Sequence, residues 1–232
     1  MTLLELVQST LAAINSDEVN SITDSTEAMD VAYIVKDCYY DLITSRDDWP
    51  FMFTESQLTG LGDVTAPNKM RIPTTIAGVT DIKYNKVAVT YLSPREFKDM
   101  LDNRVEQAGV ISSTGLMLDR DPTYWTTYDD DYIYFDGYNR AVDTTLQQSK
   151  SWAYGTKNVT WSMTDGYVPV LPDKMFPALL AEIKAEAFTS IKQQTNQRQE
   201  RKAKRGRDRW QSQARRAKVA RTTYDQGVNY GR

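Results

Sequence analysis

Apolar residues recur at helical intervals in three stretches of this chain and alternate with polar ones in between. Leu3, Leu4, Val7, Leu11 and Ile14 share one face of a first helix, which Asn15-Ser16-Asp17 ends. A polar turn rich in capping side chains comes next, Asn20-Ser21-Ile22-Thr23-Asp24-Ser25. The stripe Ala28, Val31, Val35, Cys38 and Leu42 then predicts a second helix over 26–47. Trp49-Pro50 stops it, because the residue before a proline is pushed out of the α region. The third stripe, Phe176, Leu179, Leu180, Ile183, Ala187 and Ile191, is about 120° wide. Few Pro or Gly interrupt the chain beyond Ile191, so one helix is predicted to run on to 221, roughly 70 Å at about 1.5 Å per residue.

Between the helical stretches the period shortens. Residues 69–73 and 79–84 are short candidate strands, and Val87, Val89 and Tyr91 alternate with Ala88, Thr90 and Leu92. Ser93-Pro94-Arg95-Glu96 has capping-box spacing with proline at the first helical position, which predicts a short helix over 94–104. Residues 124–128 and 132–135 read as a hairpin around Asp129-Asp130-Asp131, and a further strand is expected within 156–163. Strands grouped between helices argue for α+β rather than alternating α/β. The expected architecture is a helical core of two N-terminal helices and a long C-terminal helix, with an inserted β-rich subdomain. Its parts are a hairpin at 1–53, the insertion at 54–172, the long helix at 173–221 and a tail at 222–232.

Charge changes the picture of the third helix. Beyond Ile191 the apolar stripe ends, and Trp210 is the only large apolar side chain before Val219. Twelve Lys and Arg against Glu200 and Asp208 give residues 192–221 a net of +10; the formal −3 of the whole chain leaves −13 on the rest. An acidic body with a basic arm suits docking between copies or onto an acidic partner. An arm with no apolar face is expected to take its order from that partner.

Several chemistries are excluded or weakened. With no His and one Cys, there is no His-based triad, no Cys/His zinc site and no intrachain disulfide. Nothing near Cys38 in sequence would lower its pKa, so it reads as a small core residue. No apolar run approaches the roughly 18 residues needed to span a bilayer, and Met1-Thr2-Leu3-Leu4-Glu5 lacks the positive start of a signal peptide. The expectation is a protein made in the cytoplasm, without membrane attachment. Gly60-Leu61-Gly62 has Thr65 where a dinucleotide fingerprint would have its third glycine, and there is no P-loop sequence. Asp129, Asp130 and Asp131 lack the alternate spacing and the glycine of a calcium loop, so they read as a solvated turn. No metal, cofactor or catalytic residue is expected. The aromatic residues of the β region sit among Asp, which repels phosphate and weakens a single-strand-binding reading.

The opening helix, the turn from Ile14 to Ile22, and the helix exit Ser45-Arg46-Asp47-Asp48-Trp49-Pro50-Phe51 resemble the head-to-tail adaptor proteins of short-tailed bacteriophages, the tail tubular protein A type. The insertion carrying Tyr91-Leu92-Ser93-Pro94-Arg95-Glu96-Phe97 and the helix over 178–186 stand in the order of that family. The resemblance implies a structural virion protein without catalysis. Copies would form a ring of twelve between the portal protein and the tail tube or nozzle, with tail fibres as a further contact. DNA would pass through the channel without specific binding. On this reading Arg198, Lys202, Arg205, Arg209, Trp210, Arg216, Tyr224 and Tyr230 meet the portal or a neighbouring copy, and Asp129, Asp130 and Asp131 face the tail. The alternative is a nucleic-acid-binding module using the same basic helix.

Overall fold

The computed structural model describes residues 1–46, 49–140 and 145–225; at 213, 214 and 216–225 the helical backbone alone is described. The chain forms two compact units, one of Met1–Phe51 with Thr160–Arg232 and one of Met52–Val159.

In the first unit α1 (Leu3–Ala13) starts on a capping box between Thr2 and Glu5 and buries Leu3, Leu6, Val7, Thr10 and Leu11. Two of its unpaired N-terminal amides are satisfied by the returning chain: Leu3 N donates to Tyr167 O at 2.7 Å and Leu4 N to Asp165 O at 3.2 Å. The Asp165 carboxylate also accepts from Ile22 N at 2.9 Å, so one short loop holds both the start of α1 and the α1–α2 connection. Ser25 caps α2 (Thr26–Thr44), which buries Ala28, Val31, Ala32, Val35, Cys38, Tyr39, Leu42 and Ile43. α4 (Phe176–Ser190) packs on both through Phe176, Leu179, Ala181, Ile183 and Ala187.

The helix does not run on. Gln193 takes a left-handed conformation (φ 53°), and Gln194 N donates back to Phe188 O at 3.0 Å. Asn196 then caps a new helix, its Oδ1 accepting from Gln199 N at 3.2 Å. That helix, α5 (Gln197–Asp225), is continuous through Gly206 and folds back on α4.

The second unit is built on one eight-stranded sheet. Its strands are β1 (Phe53–Ser56), β2 (Thr59–Gly60), β3 (Lys69–Arg71), β4 (Ile76–Tyr84), β5 (Val87–Tyr91), β7 (Tyr124–Thr127), β8 (Tyr132–Phe135) and β10 (Ser151–Lys157), in the order β1-β10-β4-β5-β7-β8-β3-β2. A small parallel pair, β6 (Met117–Leu118) and β9 (Gly137–Tyr138), stands apart from it. Neighbours in the large sheet are antiparallel except β5 and β7, whose parallel pairing needs a long crossover; α3 (Pro94–Asp102) lies on it. Leu58, Met70, Ile76, Ile82, Tyr84, Val89, Trp125, Ile133, Phe135, Leu146 and Ala153 form the core. At Gly155 β10 slips register against β4, and a side chain there would place its Cβ 2.0 Å from the Gly78 carbonyl oxygen.

These findings overturn the expected fold class. Among the described residues an eight-stranded mixed sheet dominates the fold, with five α-helices as the lesser parts, rather than a helical core with one long C-terminal helix. The reason is range. β1 pairs with β10 across some hundred residues of chain, which local periodicity does not register. Two details differ as well. β10 is Ser151–Lys157 and no strand covers 158–163; Val87 and Tyr91 are 63% and 49% exposed, leaving Val89 the buried residue of β5. Among the described residues no helix is long and apolar enough to cross a membrane.

Candidate docking surface on the C-terminal helix pair

The face of α5 that meets α4 is made of small and half-buried residues. Ala203 is 6% exposed, and Gly206, Arg207, Trp210 and Gln211 are half-buried at helical spacing. Gly206 lies so close to Ala178 that a Cβ at 206 would sit 2.6 Å from the Ala178 Cβ. Beside this contact Arg207 Nη2 donates to Glu182 Oε1 of α4, and Arg46 Nη1 donates to Gln211 O at 3.3 Å. An arm without an intrachain partner was expected; the chain supplies one, because alanine and glycine let two backbones approach where no large apolar side chain is needed.

Electrostatics differ on the two flanks. Burial pushes the Glu182 carboxyl above its ordinary value; Arg207 pulls the other way, and Asp41 and Glu186 add to the rise. Cys38 sits in the same neighbourhood, its thiol pushed up to about 12 by burial first and then by Glu182, Glu186, Asp41 and Asp37. It is therefore inert packing. On the other flank Lys184 titrates below its ordinary value, through burial and then the nearness of Lys202.

Glu182 carries a pH prediction. A carboxyl whose folded pKa lies above its unfolded one binds more protons when folded, so its contribution weakens as pH rises from about 4.5 through the raised value. Glu182→Gln is expected to flatten the fall in melting temperature over that window, measured by circular dichroism. An unchanged slope would mean that Arg207 compensates the burial fully.

Four of the sequence-derived residues come together on the solvent side. Arg198, Lys202, Arg205 and Arg209 are exposed at i, i+4, i+7 and i+11, a stripe about 16 Å long. Arg201, Lys204 and Arg215 are exposed beside it. Among the described residues none of these cations has an ion-pair partner. Trp210 is not on the stripe; it is half-buried on the side that carries Ala203 and Gly206. The side chains of Arg216 and Tyr224, and the whole of Tyr230, lie outside the described residues.

Asp129, Asp130 and Asp131 form the exposed turn of the β7–β8 hairpin. Asp129 Oδ1 accepts from Asp131 N at 3.2 Å and Tyr132 N at 3.0 Å, and Asp130 is left-handed (φ 56°). Their first task is to close the turn. No group of three or more acidic or Cys side chains among the described residues is placed to hold a metal.

Sequence reasoning missed Ala178, Glu182, Ala203, Gly206 and Arg207 as a packing set. A signal was available: Asn196-Gln197-Arg198-Gln199 has the spacing of a helix start. No protein-family model matches the chain, and no curated protein matches it in sequence.

Proposed function

We propose that this chain is a non-catalytic assembly subunit, a head-to-tail adaptor in the virion of a short-tailed phage, made in the host cytoplasm. Twelve copies form a ring between the portal protein and the tail tube or nozzle, with tail fibres as a further contact and DNA passing through the channel unbound. One observation carries this reading: a stripe of four cations lies on a helix anchored to α4, ion-paired to nothing described in its own chain, while the residues outside 192–221 carry −13. Such a surface is complementary to an acidic partner. The acidic turn Asp129–Asp131 stands on the sheet unit as the tail-facing candidate.

The purified protein is expected to remain small at low concentration and to form rings only when mixed with the portal, seen by electron microscopy. A stable dimer with no ring on the portal would sink the reading. Strong retention on heparin together with indifference to the portal would favour a nucleic-acid-binding module using the same stripe.

A further inference from the structure

We infer that the exposed face of α5 docks on the exposed face of α2 in a second copy of this chain. The inference rests on the assembly reading above and names the surface that the arm meets.

Two helices in the first unit turn complementary stripes to solvent. On α2 these are Asp30, Tyr33, Asp37 and Asp41, all exposed, with Tyr33 51% accessible. On α5 they are Arg198, Arg201, Arg205 and Arg209, also exposed. Both sets fall at i, i+3, i+7 and i+11, so each runs along one side of its helix for about 16 Å. Laid side by side in parallel, Asp30, Asp37 and Asp41 meet Arg198, Arg205 and Arg209. Arg201 then comes over the Tyr33 ring, where a guanidinium is favoured.

Neither stripe is satisfied at home. None of these six Asp and Arg side chains facing one another, nor Arg201, has an ion-pair partner among the described residues. The α5 stripe does not serve its own chain, because α5 holds α4 through Ala203, Gly206 and Arg207 instead. An exposed tyrosine in the middle of an acidic stripe is the aromatic anchor that interfaces favour. A nucleic acid would use the α5 stripe but would be repelled by α2; a second copy uses both.

The two faces are different surfaces, so each copy offers one donor face and one acceptor face. Such a heterologous contact propagates head to tail and closes into a ring when the rotation permits. Being built from exposed charges, it weakens as salt shortens the screening length.

The test is a charge exchange between copies. Arg198→Glu with Arg205→Glu reverses the α5 face; Asp30→Arg with Asp37→Arg reverses the α2 face; neither pair touches the α4 contact. Sedimentation velocity at high protein concentration and low ionic strength is expected to show association of the unaltered chain, lost at high salt. Each reversed chain alone should lose it, and an equimolar mixture of the two should regain it, since each now complements the other. Tyr33→Ala is expected to weaken association about tenfold. Circular dichroism melting of each variant, unchanged, shows that the fold is intact. No association of the unaltered chain, an undiminished association after α2 reversal, or a mixture that stays dissociated would each overturn the inference. The adaptor reading is tested separately with the portal. Rings that survive α2 reversal but not α5 reversal leave it standing, with the portal as the occupant of the α5 stripe; no rings from the unaltered chain bring it down.

Discussion

Asp136→Ala is expected to lower the melting temperature of the sheet unit by about 15 °C or more. Asp136 is 1% exposed and ties three segments together. Its Oδ1 accepts from Thr123 N and Tyr124 N, both at 2.8 Å, at the start of β7. Its Oδ2 accepts from Arg104 Nη2 at 2.8 Å, while Arg104 Nη1 donates to Asp136 O and Gly115 O, each at 3.1 Å. Removing the carboxylate leaves two amides without their acceptor and a largely buried guanidinium without its counter-charge, held only by the Asp136 and Gly115 carbonyls. Breaking such a pair from one side costs about 3–5 kcal/mol, much more than the pair contributes as a whole. Asp136→Asn keeps the shape and part of the hydrogen bonding, so its loss should be intermediate. Asp102→Ala, which removes the solvent-screened pair with Lys98, should leave the melting temperature almost unchanged. Equal losses from Asp136→Ala and Asp102→Ala would show that the buried knot does not hold the crossover.

The same crossover shows what the sequence could and could not disclose. Ser93-Pro94-Arg95-Glu96 states its helix outright, since a capping box and an N-terminal proline act within four residues; the helix forms with both capping hydrogen bonds. The β7–β8 hairpin is equally local, its turn closed by Asp129. The residues just after α3 carry no local signal of their structure, because it is set by a partner far along the chain: Arg104 is placed by Asp136, and Gly115 packs under the Leu101 carbonyl. Sheet order was illegible for the same reason, since pairing β1 with β10 is decided by the whole unit. On the C-terminal side composition misled. A run of cations with no apolar stripe reads as an unsupported arm, yet Ala203 and Gly206 provide a contact whose strength lies in closeness rather than in side-chain size. The solvent-facing stripe itself was visible in the spacing of Arg198, Lys202, Arg205 and Arg209, because helical period alone puts them together.

Gly206 allows position and charge to be separated. In an exposed helix Gly→Ala stabilises by about 1 kcal/mol through helix propensity. At 206 the added Cβ would fall 2.6 Å from the Ala178 Cβ and 3.3 Å from its Cα. Neither atom is the end of a flexible side chain, so the helices themselves must separate, and overpacking of this kind costs about 1–3 kcal/mol. The clash should win: Gly206→Ala is expected to destabilise the α4–α5 contact, and Gly206→Leu to pull α5 off α4. Trp210, half-buried on the same side of α5, reports the event through a red shift of its fluorescence. Every cation of the stripe is still present in Gly206→Leu, so loss of ring formation on the portal would show that the stripe acts only when held on α4. The reciprocal pair Ala178→Gly with Gly206→Ala moves the methyl from one helix to the other and should restore both the emission and assembly, a non-additivity that only direct contact produces. If Gly206→Leu leaves the emission and the rings unchanged, α5 does not rest on α4 through this face, and the assignment of Arg198, Lys202, Arg205 and Arg209 to a docking surface loses its support.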